Sequence, residues 1–257
     1  MSLLSRGRAE LVAGQGGLPR DLELFGVDPH LREEIFEERL DQLLGLLRPG
    51  PSDLLGTFRE RATNVELPAT GRDPRDLVWA ASSGSPRSVL RAAGHGLGVM
   101  LNVMEGEWRH LVPYVKAYRE ALHGFGDEAS ARVGLAVPAF VIPDDAAPTP
   151  WEAAVQQAHP YFAAGTRAFG AASPEVSPWT LDEFAAQCGP EGSLVVGGVS
   201  DVVDKLATLR RELGVERILL RVDINGLPHE SALRTLRLLG DQVLPRLRSN
   251  SVRLEER

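Results

Sequence analysis

Cysteine is nearly absent from this chain: Cys188 stands alone among 257 residues. An internal disulfide framework and a cysteine-based metal site are therefore both excluded, and a reducing, cytoplasmic setting fits. The 28 Lys and Arg are outnumbered by 35 Asp and Glu, for a formal charge of −7, and nothing gathers them into a basic stripe. That balance argues against binding to nucleic acid. No window approaches the apolar length that spans a bilayer, so no membrane association is expected, and the first seven residues lack the apolar core of a signal peptide. A Walker loop, a GxGxxG after a strand, HExxH and GxSxG are all missing. His30, His110, His123 and His159 share no ligand spacing, so no metal site is expected. What is present is ordinary for a globular chain, with 43% hydrophobic and 25% charged residues. The length suffices for one large domain, taken here as 1–257.

The organising stretch is 77–101, LVWAASSGSPRSVLRAAGHGLGVML. Leu77 to Ala81 is a short apolar run of the kind that forms a strand buried on both faces. Ser82-Ser83-Gly84-Ser85-Pro86 then places small hydroxyl residues before a helix that Pro86 opens and Ser85 caps. Gly94 and Gly96 end that helix, and Gly98 to Leu101 forms the return strand. A serine-rich turn feeding a helix N-terminus offers N–H groups, hydroxyls and a positive dipole end. Two readings fit: a phosphate site, or a well-capped helix without a ligand.

Elsewhere strand and helix signals alternate. AELVAG, residues 9–14, is the first strand, followed by a glycine-rich loop. Asp28-Pro29 opens a helix with Leu31, Ile35, Leu40, Leu43 and Leu47 near helical spacing. Residues 50–75 are polar, rich in Pro and Gly, and read as a long excursion. Glu107 to Phe125 is amphipathic, with Trp108, Tyr114 and Tyr118 as core residues. VGLAVPAFVI, residues 133–142, is a strand in which Pro138 marks a bulge or a place without a ladder partner. Capping boxes at Thr149 and Thr180 open two helices. SLVVGG reads as an accessory strand, Ser200 or Asp201 opens the next helix, RILLRV is the last strand, and 230–248 the last helix. This order calls for a parallel sheet in an α/β architecture, with function at the carboxyl ends of the strands.

Four stretches, taken together and in order, resemble the bacterial luciferase-like monooxygenases, which are flavin-dependent (β/α)8 barrels. They are Gly7-Arg8 with AELVAGQGG and Leu24 to Pro29; LVWAASSGSPRSVLRAAGHG; GGVSDVVDKLATLRRELGVERILLRVD; and INGLPHESALRTLRLLGDQVLPRLR. The resemblance implies that Ala81, Ser82, Ser83 and Ser85 help to hold the phosphate of flavin mononucleotide (FMN). It brings Gly14, Gln15 and Gly16 to the same phosphate, with Gln15 where the family often carries an arginine. The implied activity is oxidation of an organic substrate by reduced FMN and O2, with secondary metabolism as the implied setting, a separate reductase as electron source and deazaflavin as the alternative cofactor. Asn102, Asp223 and His229 follow strand ends and are candidates for the substrate pocket; Asp223 reads first as a loop-fixing acceptor, and for His229 a structural place near the start of the last helix is the alternative. No catalytic residue is assigned.

Family members carry three further strand–helix units before the Gly7-Arg8 dipeptide. The implied fold is therefore a luciferase-like barrel truncated to about five parallel strands. A non-catalytic relative that binds flavin or a small ligand, or works with a partner chain, is the alternative function. Five strands leave two edges and an apolar face open, with Leu11, Val78, Leu135 and Leu219 wetted, so a homodimer or partner chain is expected to cover them.

Overall fold

The computed structural model describes residues 4–17, 19–68, 71–127, 131–170 and 177–255. Leu18, in the glycine-rich loop, lies outside them. The chain divides into two compact units, 1–100 with 116–132, and 101–115 with 133–257.

In the first unit, β1 (Leu11–Ala13) leads through α1 (Pro19–Leu24) and a 3-10 turn at Pro29–Leu31 into α2 (Arg32–Leu46). A short antiparallel hairpin, β2 (Ser52–Leu54) and β3 (Ala62–Val65), then precedes α3 (Pro74–Leu77), β4 (Val78–Ser82) and α4 (Pro86–Gly94). The 50–75 excursion is thus partly ordered. The Glu38 carboxylate on α2 accepts from the N–H groups of Thr57 and Phe58, and Arg39 donates to the Phe58 carbonyl. Those polar anchors carry no hydrophobic period, which is why no pattern betrayed the hairpin.

β1 and β4 are parallel, with Leu11, Val12 and Ala13 opposite Val78, Trp79 and Ala80. The core here is Val78, Trp79, Val89, Ala92, Leu97, Tyr118 and Leu122, each 2% exposed or less. Trp79 is held on three sides: its indole N–H donates to Glu10 at 2.9 Å, Arg132 lies 4.5 Å over its ring, and Gly98 gives it room. Tyr118, on α5 (Val112–Gly124), donates its buried hydroxyl to the Leu97 carbonyl.

β5 (Gly98–Asn102) carries the chain into the second unit, which contains β6 (Val133–Ile142), α6 (Pro150–Gly170), α7 (Leu181–Cys188), β7 (Val195–Gly198), α8 (Val199–Leu213), β8 (Arg217–Arg221) and α9 (His229–Leu238). A π-helical turn at Leu239–Val243 joins α9 to α10 (Leu244–Glu255). The expected single last helix is interrupted there because Pro245 has no N–H for the ladder.

Every residue of β6 is buried. It pairs in parallel with β8 along Gly134–Pro138 and with β7 along Ala139–Ile142. Pro138 sits at the hand-over between the two partners, where a missing N–H costs least. β7 is therefore a full neighbour of β6. Beyond the end of β8, the Thr235 hydroxyl of α9, fully buried, satisfies the N–H and C=O of Val141. Phe140, Phe162, Phe184 and Leu194 centre the hydrophobic core, with Phe162 and Phe184 ring centroids 4.8 Å apart.

Of the four side chains expected to be wetted, Leu11 and Leu219 are 41% and 42% exposed, but Val78 and Leu135 are fully buried. β4 and β6 have strand neighbours on both edges and helices packed against them, whereas β1 and β8 each pair with one strand. No described helix is long and apolar enough to cross a membrane.

Candidate functional site

The parallel register of β1 and β4 brings two turns together at the carboxyl ends of both strands. A Cβ placed on Gly14 would lie 3.2 Å from the Ala81 Cβ. Gly16 has φ +77°, a conformation that favours glycine, and a side chain there would meet Leu22 at 3.1 Å. Gly14, Gln15 and Gly16 thus lie beside the turn that begins with Ala81, Ser82 and Ser83. Gln15 is half-buried, and its side-chain carbonyl oxygen is enclosed with no hydrogen-bond partner.

Ser85 caps α4 by accepting from the Ser88 N–H at 3.2 Å. Ser88 donates its hydroxyl proton to the Ser85 carbonyl at 2.9 Å, so its lone pairs are left to accept from Ser82 at 2.6 Å and Ser85 at 2.9 Å. Ser82 is 3% exposed and also accepts from the Gly84 N–H. The hydroxyl protons of Ser82 and Ser85 are therefore committed to Ser88. Ser83 is exposed and makes no hydrogen bond among the described residues. What the turn offers outward is the Ser83 hydroxyl and the amide end of α4. A cation is also present: Arg87, the second residue of α4, is mostly exposed and paired with Glu33. Sequence reasoning missed Ser88 and Arg87; the spacing Ser85-x-x-Ser88 across a helix start is the signal that points to the first.

The remaining candidates lie in the second unit. Asn102 is half-buried at the end of β5; Asp223 is exposed two residues beyond β8; His229 is the first residue of α9 and exposed. Among the described residues no hydrogen bond joins them. Arg221, at the end of β8, was not singled out. It is half-buried, its Nη2 reaches the Met104 sulfur at 2.8 Å, and its Nε is enclosed without a partner. Burial pulls the guanidinium below its ordinary range, opposed by the charge of Asp223.

One strand-end site is closed by the protein's own carboxylates. Ser200, at the start of α8, donates its N–H and hydroxyl to Asp144 at 2.9 and 2.8 Å, while Asp201 accepts from the Gly198 N–H. Burial pushes the Asp144 carboxyl up, but Ser200 and Arg246 outweigh it and hold the group below the usual carboxylate range. The helix therefore opens at Val199 with Gly198 as its cap, slightly earlier than Ser200 or Asp201.

A cavity of about 1220 Å3 is lined by Asp41, Arg48, Arg75, His95 and Phe125 among others, at the opposite, N-terminal ends of β4 and β5. A second, about 620 Å3, is lined by Trp151, Cys188 and Lys205. Lys205 is buried and donates to the carbonyls of Gly189, Pro190 and Gly192, closing the loop after α7. Cys188 is buried, and burial pushes its thiol up to about 12, as befits a core filler.

This arrangement of strand-end turns accords with a family match: the model for luciferase-like monooxygenases matches residues 1–217. The chain belongs to the luciferase-like monooxygenase family. Among solved structures, this family member is similar to the monooxygenase RslO1 from Streptomyces bottropensis, with 23% identity over 95% of this chain and 70% of that one, at a TM-score of 0.78. It is also similar to the oxygenating constituent of 3,6-diketocamphane monooxygenase from Pseudomonas putida in complex with FMN (16% identity, 96% and 73% covered, TM-score 0.67). A third similar structure is an F420-dependent secondary alcohol dehydrogenase in complex with an F420–acetone adduct (15%, 95% and 71%, 0.63). No curated protein matches. These likenesses establish the fold as α/β, with the parallel strands of a partial luciferase-like barrel.

Proposed function

We propose that this chain is a single luciferase-like domain that binds FMN and oxidises a small organic substrate, in secondary metabolism, with reduced FMN and O2. A deazaflavin is the alternative cofactor. The observation that carries this reading is the convergence of the Gly14–Gly16 turn with the Ala81–Ser85 turn at the start of α4. The residues fit a phosphate: a glycine at close approach, a free hydroxyl on Ser83 and a helix N-terminus. Gln15 meets it through its amide N–H2 end, which a rotation of the group brings inward. Ser82 and Ser85 act indirectly, by holding the turn through Ser88. Bound flavin would supply the redox chemistry; the protein's part is to hold the phosphate, orient the ring and limit water.

Titration of the protein with FMN and with riboflavin, followed by fluorescence quenching, tests this. FMN should bind at least about tenfold more tightly, because only it carries the phosphate. Equal binding would remove the phosphate assignment, and no binding of FMN or F420 would remove the cofactor.

A second reading, a relative that works only with a partner or as a homodimer, draws support from β1 and β8. Leu11, Val12 and Leu219 are each more than 40% exposed on strands with one neighbour. A homodimer covering them should sediment as a two-chain species at micromolar concentration; a monomer there would dismiss it.

A further inference from the structure

Arg221 stands out among the arginines of this protein by how little answers it. Arg91 is paired with Glu37 and stacks on Phe36. Arg132 donates to the carbonyls of Arg75, Asp76 and Val78 and covers Trp79. The Arg221 guanidinium has one thioether as its acceptor and an enclosed Nε with none. No carboxylate or carbonyl oxygen among the described residues accepts from it. An enclosed, unanswered guanidinium N–H is costly to fold, and a protein that retains one has a use for it elsewhere.

Its surroundings say what that use is. Side chains in register across parallel strands share a face, so Arg217, Leu219 and Arg221 lie on the side of Gly134, Ala136 and Pro138. The Val103 N–H donates to the Ala136 carbonyl, which puts Asn102 and Met104 on that same side, opposite Ala136 and Pro138. Arg221 therefore reaches over Pro138 to Met104, at the carboxyl ends of β5 and β8 and the middle of β6. Beside it lie the half-exposed Leu219 and the amide of Asn102. A planar cation with parallel donors, bordered by apolar surface and one amide, matches a carboxylate carried on an apolar body.

We propose that Arg221 binds the carboxylate of an organic acid on this face, with Asn102 as a second polar contact and Leu219 and Met104 against the apolar part. That the acid is the substrate rests on the monooxygenase reading above; that the site takes a carboxylate does not. The flavin ring is the other bearer of polar oxygens in such a site, and the test separates the two.

The experiment is calorimetric titration with benzoate, hexanoate and neutral benzamide, on the wild type, Arg221→Met and Arg221→Lys, with FMN titrated in parallel. At least one of the two carboxylates should bind the wild type and be weakened about tenfold or more in Arg221→Met, less in Arg221→Lys. Benzamide and FMN should be indifferent to the substitution. Without ligand, Arg221→Met should melt no lower than the wild type, since it relieves a half-buried cation whose Nε is unanswered, and the bound carboxylate should raise the melting temperature of the wild type alone. The proposal is overturned if neither carboxylate binds the wild type, if binding survives Arg221→Met, or if the substitution weakens FMN and not the carboxylate. A lower melting temperature in Arg221→Met, with carboxylate binding unchanged, would make the residue structural. Carboxylate binding without FMN binding would sink the flavin reading and leave this site standing.

Discussion

Replacing Lys205 by methionine tests how the loop after α7 is held. The side chain is 9% exposed and donates to three carbonyls within four residues, those of Gly189, Pro190 and Gly192. Pro190 keeps a second donor in the Trp108 indole at 3.0 Å, and Gly189 keeps one in the Gly192 N–H at 3.1 Å; Gly192 loses its donor. Each buried carbonyl left without a donor costs about 1–3 kcal/mol, and Lys→Met also removes an ammonium that is expensive to bury. The lost hydrogen bond and the relieved burial of the ammonium oppose each other, so the net change expected at pH 7 is within about 2 kcal/mol, or less than roughly 8 °C in melting temperature for a chain of this size. The pH dependence is sharper. Burial pushes Lys205 down to about 8, against the charges of Cys188 and Glu191, while an unfolded lysine titrates near about 10.4. Between those values the unfolded chain binds more protons, so this group makes stability rise with pH through that window, by at most about 3 kcal/mol. Below pH 8 its penalty is fully present. Cys188 works the other way. Its folded thiol lies at about 12 and its unfolded one near about 8.5, so its contribution is whole below 8.5 and lost as pH rises toward 12. Chemical denaturation in steps from pH 7 to 11 should show stability rising first and falling later. Lys205→Met should remove the rise and Cys188→Ala the fall. A wild-type profile without the rise, or a methionine variant that keeps it, would refute the account.

Gly98→Ala would put a Cβ 2.7 Å from the Trp79 ring; overpacking of this kind costs about 1–3 kcal/mol, read as a lower denaturation midpoint with a changed tryptophan spectrum. Thr235→Val keeps the shape but leaves the Val141 N–H unanswered, and should cost about 1–3 kcal/mol, with faster exchange of that amide by NMR. Asp144→Asn removes the charged cap of α8 and the partner of Arg246, for about 1 kcal/mol in a urea melt at pH 7. Because the folded Asp144 carboxyl is held low, its contribution is present above about pH 4 and lost as pH falls through the folded value, so the two proteins should converge in acid. Ser88→Ala removes the acceptor of Ser82 and Ser85; it should lower stability by about 1–3 kcal/mol and, if the turn holds FMN phosphate, weaken FMN by several-fold in the same quenching titration.

How much of this was legible beforehand depends on the range of the physics involved. The alternation of elements was legible because each strand or helix announces itself through its own period and caps: Ser85 with Pro86, the Thr180 box answered by Glu183, and β6 over the ten residues of VGLAVPAFVI. Backbone sterics and capping act over three or four residues, so the order of amino acids suffices. The Gly14–Gly16 and Ala81–Ser85 turns were likewise visible as motifs. That Ser82 and Ser85 spend their hydroxyl protons on Ser88 was not, because proton direction depends on three oxygens meeting in space. The hairpin in 50–75 was hidden because it is held by Glu38 and Arg39, some 19 residues away. Arg221 reads in sequence as one more polar residue in RILLRV. Only the register of β8 on β6, and of β5 beside them, sets its guanidinium over Pro138 against Met104. Charge satisfaction is a property of neighbours, and tertiary structure alone decides who the neighbours are.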